Sequence, residues 1–391
     1  MNWTRRDFSR LGALAALSGA LPRLGAQTDP NGNQNGDQNQ GQGGDQQPGR
    51  RLGWCIVGLG RISMGEFMPG VALSKTGKLV ALVSGHREKA ERQAAMYNVP
   101  SPSIYDYENF DEIANDKEID AVYIALPNSM HAEYTIRAAR AGKHVLCEKP
   151  MATSLEDCNK MIDVCRKKKV KLMIAYRCQY QPQHLKAIEL IRSGALGQVQ
   201  AMESAFGFDI QKTFVFDGVR NPSWRLNRKM AGGGPLVDVG IYCLNATRYL
   251  TGEEPAEIKA NASTIDHDGR FTEVEENDGW TMKFPSGILA SCNTTYGGHM
   301  AGYFHVHGSK GELRMEPAFN YAGLQLTGRL DDGTALDMPD PQHDPAQFTA
   351  EADYFADCVW NNREPKTDGE EGLRDMTYIS QIYESAGMKG L

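Results

Sequence analysis

Three short stretches of this chain carry residue types that could do chemistry together. The first, "GLGRIS" at 58–63, follows an apolar run and opens a helical pattern. Gly58 permits a tight turn, Gly60 lets the backbone come close to a pyrophosphate, and the helix start behind them offers oriented N–H groups and a partial positive charge. Ser63 stands at the sixth position instead of Gly or Ala, a place where a small side chain is tolerated. The second stretch, "CEKPM" at 147–151, ends an apolar run in Glu148 and Lys149 before Pro150. Ligands of open parallel sheets bind beyond the carboxyl ends of the strands, so Lys149 would enter that crevice, aimed by a cis bond to Pro150. A surface lysine in a loop is the plainer alternative. The third, "GGGPLVDVGIYCLN" at 232–245, places Asp238 and Tyr242 at i and i+4 on one helical face, with Asn245 a turn further on. A capping aspartate and a core tyrosine would account for the same spacing. A dinucleotide cradle beside groups that give and take protons is what redox chemistry at an alcohol or a carbonyl requires.

These groups can cooperate only if the chain folds them to one edge. Residues 53–175 alternate the apolar runs "WCIVG", "KLVALVS", "DAVYIALP", "HVLCEK" and "KLMIAY" with helical patterns at 86–97, 129–141 and 154–169. Strands separated by helices run parallel and are covered on both faces, which predicts a doubly wound Rossmann sheet with Gly58, Gly60 and Lys149 at its carboxyl edge. After the triple glycine the pattern changes. Alternating, turn-punctuated runs at 255–265, 279–283, 287–296 and 301–307 predict a large, mostly antiparallel sheet, and helical patterns follow at 346–361 and 370–388. The expected fold class is α/β, with a dinucleotide-binding domain at 51–177 and an α+β domain for substrate and oligomerisation at 178–391.

The end of the second strand decides which dinucleotide fits. A site for NAD places Asp or Glu there to meet the ribose 2′-hydroxyl. This chain has Ser84, with Arg61 and Lys89 nearby. Such a set suits a 2′-phosphate, so NADP is the expected cofactor.

The N-terminus reads as an address. Arg5 and Arg6 precede Phe8, and the apolar run from Leu11 to Pro22 is about half of the roughly 20 residues that span a bilayer. Leu24-Gly25-Ala26 suits signal cleavage. A twin-arginine signal peptide is expected at 1–26, and with it export of an already folded protein by that machinery to the periplasm. Residues 27–49 contain no hydrophobic residue, which predicts a disordered linker over 27–50.

A formal charge of −7, with one short basic run "RKKKVK" at 166–171, argues against nucleic acid or an anionic membrane as partner. No second long apolar stretch supplies a membrane anchor. The eight cysteines include no C-x-x-C pair, and a chain folded in a reducing compartment would keep them as thiols. His305 and His307 share one face of an expected strand, but spacing shows no third ligand, so no metal is expected.

Beyond spacing, "GLGRIS", "LVSGHREKA", "IYDYENFDEIA", "DAVYIALPNSMHAEYTIRAARAGKHVLCEKPMATS", "LMIAYRCQY" and "AGGGPLVDVGIYCLNATRYLTGEEP" are similar to the glucose-fructose oxidoreductase/inositol dehydrogenase superfamily. The similarity runs from Gly53 to the "GEEG" helix near 369. Glu-Lys-Pro marks the superfamily, and the Asp-x-x-x-Tyr helix after the triple glycine marks its aldose-oxidising members. The resemblance implies that Lys149, Asp238 and Tyr242 form the catalytic group. It also implies that Gly58, Gly60, Arg61, Ser84, Lys89, Pro127, Asn128, His131, Glu148, Arg177, Trp224, Arg225 and Tyr296 line the cofactor. Small-molecule sugars as substrates and a homo-oligomer, dimer or tetramer, are implied as well. Two stretches depart from the family pattern: the Gln/Asn/Gly linker replaces a proline-rich arm that embraces a neighbouring subunit, and residues 208–230 match only at "WRL".

On this reading the phenol of Tyr242, with an ordinary pKa of about 10, is a poor base at neutral pH. The Lys149 ammonium would favour its phenolate, and Asp238 would orient the sugar or the tyrosine. The expected activity is oxidation of an aldose to its lactone, with the hydride passed on to a second sugar. A redox-neutral glycosidase of the same superfamily and an ordinary NADP-dependent aldose dehydrogenase are the alternatives.

Overall fold

Strand β1 (Leu52–Val57) is buried at every residue, as a strand must be when helices cover both faces of its sheet. It lies inside a six-stranded sheet with β2 (Gly77–Val83), β3 (Ile104–Tyr105), β4 (Ala121–Ile124), β5 (His144–Glu148) and β6 (Leu172–Ala175), in the order β3-β2-β1-β4-β5-β6. Every neighbouring pair is parallel. The five apolar runs of the sequence are β1, β2, β4, β5 and β6; β3 has only two residues, too few for a period to register. The order reverses between β1 and β4, and such a switch point opens a crevice beyond the carboxyl ends.

The coordinates are a computed structural model and describe residues 50–210, 215–216, 219–220, 224–266, 268–339 and 345–391. The expected signal peptide and all but the last residue of the expected linker lie outside the described residues, as does part of 208–230. No described helix is long and apolar enough to cross a membrane.

Helices α1 (Met68–Leu73), α2 (Arg87–Tyr97), α3 (His131–Arg140) and α4 (Leu155–Lys168) connect the parallel strands. The basic run of the sequence is the last turn of α4, where Arg166, Lys167 and Lys168 face the negative end of the helix dipole. Ser154 caps the other end by accepting from the Asp157 N–H at 3.2 Å. All eight cysteines are free and buried.

After α5 (Pro182–Arg192) the chain enters a second sheet. Its strands are β7 (Val199–Gly207), then, beyond a two-stranded ribbon of β8 (Val215–Phe216) and β9 (Val219–Arg220), β10 (Glu257–Ser263), β11 (Asn277–Lys283), β12 (Leu289–Thr295), β13 (Met300–Gly308), β14 (Gly311–Met315), β15 (Gln325–Leu330) and β16 (Ala335–Pro339). The order is β10-β11-β12-β7-β13-β14-β15-β16, and only β12 and β7 pair in parallel. Burial alternates along β12, the sign of a sheet with one packed and one open face. Four of these strands match the alternating runs of the sequence. The sequence reading missed β7 and β14–β16, because "VQAMESAFG", "GELRM" and "QLTGRL" dilute their alternation with small and charged residues.

Between β9 and β10 lie α6 (Arg228–Ala231) and α7 (Ile241–Thr251), and the chain ends in α8 (Ala346–Trp360) and α9 (Gly369–Ser385). The last two helices pack across the expected domain boundary. Phe348 and Phe355 of α8 share a buried cluster with Trp54, Phe67 and Val71, and Thr349 Oγ1 donates to the Gly70 carbonyl at 2.9 Å. Gly369 and Gly372 bring α9 close to Ile162, Leu172 and Ile174. Residues 346–385 therefore cover the parallel sheet, although they follow the antiparallel one in sequence.

Candidate active site

The carboxyl ends of the parallel strands gather most of the residues that the sequence singles out. Beyond β1, Gly58 has φ +94°, and a Cβ there would lie 2.5 Å from the Ala125 carbonyl. Only glycine fits this turn. Ser63 donates to the Gly58 carbonyl at 2.6 Å, so the departure at the sixth position closes the turn rather than merely being tolerated. A Cβ on Gly60 would meet nothing within 4 Å; the space beside that backbone is open, as a pyrophosphate requires.

Ser84 follows β2 and accepts from the His86 N–H at 3.1 Å. Lys89 reaches back to the Leu59 carbonyl at 3.5 Å, and Arg61 is exposed beside the same loop. No carboxylate stands at the end of β2. The cations and the hydroxyl are those that a 2′-phosphate needs.

At the end of β4, Pro127 opens a short turn in which Asn128 donates to the Ala231 carbonyl at 2.8 Å, tying the crevice to the glycine loop. His131, expected to line the cofactor, is held by the backbone on both sides. Its Nδ1 faces the Pro150 carbonyl at 2.8 Å and its Nε2 the Leu126 carbonyl at 2.9 Å, so neither nitrogen is left for a cofactor. Burial holds its pKa below the ordinary histidine value. It braces the β4 and β5 loops.

The Lys149–Pro150 bond is cis. Glu148 accepts from Tyr123 at 2.6 Å and from the Lys149 N–H at 3.2 Å; burial raises its pKa, against the pull of Lys149 and Tyr123. The Lys149 ammonium donates to the Asp238 carbonyl at 2.7 Å, lies 3.6 Å from Asp238 Oδ1 and stands 4.6 Å from the centre of the Tyr242 ring. The three expected catalytic residues thus meet around one ammonium group. The helical spacing behind this meeting differs from expectation, because Leu236–Gly240 forms a wide π turn before α7 begins. Asn245 lines one small cavity with Lys149 and Tyr242, but its amide is committed: it is buried, donates to Glu371 and Asp375, and accepts from Gln179.

Asp238 is the most heavily held of the group. Its Oδ2 accepts from Tyr296 at 2.7 Å and from Arg225 at 3.1 Å. Burial alone would raise its pKa, but Arg225, Lys149 and Tyr296 bring it below the ordinary value, so the carboxylate is ionised. Arg225 and Tyr296, expected to line the cofactor, both hold Asp238, with Trp224 stacked 4.2 Å from the Arg225 guanidinium carbon. Tyr296 is fully buried.

Tyr242 faces a second cation besides Lys149. Burial pushes its pKa above the ordinary tyrosine value, and the charge that opposes this is Arg177. The guanidinium of Arg177 is buried between Tyr242 and Tyr321, at 5.1 and 4.4 Å from the ring centres, and donates to the Phe319 carbonyl at 2.6 Å and to Gln347. Sequence reasoning assigned Arg177 to the cofactor and the phenolate to Lys149. Arg177 directly follows the buried run "LMIAY", the signal that it too enters the crevice edge.

The glycine loop that feeds this site is anchored by residues the sequence did not reveal. A Cβ on Gly233 would lie 2.0 Å from the Tyr383 hydroxyl, and one on Gly234 would lie 2.5 Å from the Glu275 carbonyl. Glu275 accepts from the Gly234 N–H at 2.9 Å and from Tyr383 at 2.7 Å. The nearest sequence cue was the triple glycine itself.

Known proteins resemble this chain over most of its length. Residues 52–176 match the oxidoreductase family with an NAD-binding Rossmann fold, and residues 184–314 match the GFO/IDH/MocA C-terminal domain. The chain is 33% identical to D-xylose 1-dehydrogenase [NADP(+)] of Haloarcula marismortui over 85% of this chain and 90% of that protein. It is 31% identical to 1,5-anhydro-D-fructose reductase of Ensifer adhaerens over 82% and 92%. The crystal structure of aldose-aldose oxidoreductase from Caulobacter crescentus superimposes with a TM-score of 0.80 at 42% identity, covering 86% of this chain and 98% of that one. With family models matching residues 52–176 and 184–314, well over half of its length, the chain belongs to the GFO/IDH/MocA family of oxidoreductases.

Proposed function

We propose that this NADP-dependent sugar oxidoreductase oxidises an aldose to its lactone and then reduces a second sugar, a ketose or another aldose, at the same site. The meeting of Lys149, Asp238, Tyr242 and Arg177 beside the ends of β5 and β6 carries this reading. The relatives support it, since they include an NADP-dependent xylose dehydrogenase and an aldose-aldose oxidoreductase.

When bound, NADP supplies the hydride acceptor and donor. Gly58, Gly60, Arg61, Ser84 and Lys89 would hold it. Tyr242 handles the proton. Its buried phenol rests protonated, ready to give a proton to a carbonyl; taking one from a hydroxyl draws on the positive charge of Arg177 and Lys149. Asp238 is already ionised, and its Oδ1 has Lys149 at 3.6 Å. That distance leaves Oδ1 able to accept a hydrogen bond from a sugar hydroxyl and so fix the ring over the crevice.

Paired arginines at the N-terminus complete the reading: the protein folds around NADP, is exported by the twin-arginine route to the periplasm, and works there as a homo-oligomer. No nucleotide pool outside the cytosol would reoxidise the cofactor, which a second sugar does instead. Two substrates using one site in turn give ping-pong kinetics.

The test is protein purified without added nucleotide. It should carry NADP, gain the absorbance of reduced nicotinamide on adding glucose, and lose it on adding fructose or a second aldose. Protein that arrives empty and turns over only with NADP in solution is an ordinary aldose dehydrogenase. Release of nitrophenol from a nitrophenyl glycoside would instead favour the redox-neutral glycosidase.

A further inference from the structure

Strand pairing brings Glu203 to two histidines that lie about a hundred positions further along the sequence. His305 and His307 alternate along β13 with the buried Phe304 and Val306, so both imidazoles emerge on the open face of the antiparallel sheet. Their ring centres are 3.9 Å apart. Glu203 on β7 stands directly opposite His305. One ligand atom each from Glu203, His305 and His307 lies within 4.8 Å of the other two. On the other flank β14 sets Glu312 opposite His307, with its Oε2 3.3 Å from His305 Nε2 and 3.9 Å from His307 Nδ1. The basic neighbours are Arg314, opposite His305 and paired with Glu316, and Arg329, opposite Glu312.

We propose that Glu203, His305 and His307 form a binding site for a divalent transition cation of the zinc class. Two imidazoles and a carboxylate are the donor set that zinc, nickel and copper accept, and they differ from the all-oxygen sets of magnesium and calcium. Tetrahedral zinc holds nitrogen and oxygen ligands at about 2.0–2.2 Å, which separates them by roughly 3.3–3.6 Å. Glu203 is exposed and the two histidines are half-buried, so side-chain rotation is free to close the remaining distance. The ladder fixes their Cα positions, so the site is largely built before the cation arrives. Two carboxylates, Glu203 and Glu312, bracket two imidazoles and match a double positive charge. Glu312 can complete the set or hold the imidazoles from outside.

The thiols do not compete, since every cysteine is buried. Nor does the site belong to the redox chemistry. Phe206, three residues beyond Glu203 and on the other face of β7, packs against Tyr242, so the cation would lie on the side of the sheet away from the reacting sugar. There it would tie β7 to β13.

Calorimetric titration of chelator-treated, untagged protein with zinc chloride tests the proposal. One cation per chain should bind, and replacing zinc with cobalt(II) should give the visible bands of a tetrahedral centre. Glu203→Gln and His307→Gln should each weaken binding by at least about tenfold, while sugar turnover stays at the parent level and reports an intact fold. Absence of stoichiometric binding by the parent protein overturns the proposal. So does undiminished affinity in Glu203→Gln/His305→Gln/His307→Gln.

Discussion

Arg177 holds its guanidinium carbon 5.1 Å from the centre of the Tyr242 ring, and its charge opposes the rise that burial imposes on the phenol. Removing that charge should make the phenolate harder to form. In Arg177→Met the ascending limb of the pH profile for sugar oxidation, where the phenolate forms, should therefore move to higher pH, with turnover at pH 7 down by roughly 10². Arg177→Lys, which keeps a charge but not the planar fork, should recover part of both. A profile unchanged in Arg177→Met would remove the arginine from the proton step.

Tyr242→Phe keeps the ring that packs on Phe206 and Phe319 and deletes only the hydroxyl. Turnover should fall by roughly 10² to 10⁴, the usual worth of a positioned acid or base, with the nucleotide content of the protein unchanged. Near-parent turnover would exclude the tyrosine from proton transfer.

The parallel sheet was legible because five of its six strands carry an apolar run, and the crevice because Gly58 and Lys149 end two of those runs. What escaped was carried by contacts between distant parts of the chain. Nothing around Tyr296 in the sequence links it to Asp238, 58 positions earlier, and nothing around His131 shows that its two nitrogens face the Leu126 and Pro150 carbonyls. The return of α8 to Gly70 is likewise invisible to periodicity, which records that a helix has an apolar face but not which sheet receives it. Glu203 joins His305 through strand register, which local spacing does not encode.

Tyr296 donates to Asp238 at 2.7 Å from a fully buried position. Tyr296→Phe should leave that carboxylate underheld and raise its pKa. Loss of a hydrogen bond to a charged group is worth about 1.5–3 kcal/mol. If Asp238 positions the sugar, KM for the sugar should rise by roughly 10- to 100-fold while bound NADP is retained. Loss of the nucleotide with unaltered sugar KM would return Tyr296 to the cofactor.

Ser84 ends β2 with a hydroxyl, flanked by Lys89 and Arg61. Ser84→Asp puts a carboxylate where the 2′-phosphate of NADP would lie and where NAD presents a hydroxyl. Nucleotide extracted from the variant should shift from NADP toward NAD. An unchanged NADP content would mean that the phosphate is recognised elsewhere.

His184 links the two halves of the second domain's core and should make the fold sensitive to acid. Its Nδ1 meets the Tyr249 hydroxyl at 2.6 Å and its Nε2 the Ala318 carbonyl at 2.8 Å, and burial pushes its pKa down to about 4. The unfolded chain returns it to about 6.5. Below that pH the unfolded state takes up a proton that the folded state refuses, so stability is fully present above pH 6.5 and is lost as the pH falls toward 4. The loss is about 1.4 kcal/mol for each pH unit. Urea unfolding at pH 7.5, 6 and 5 should show this decline, and His184→Gln should be less stable at pH 7.5 yet lose less on acidification. An equal slope in parent and variant would mean that the acid sensitivity arises at other groups.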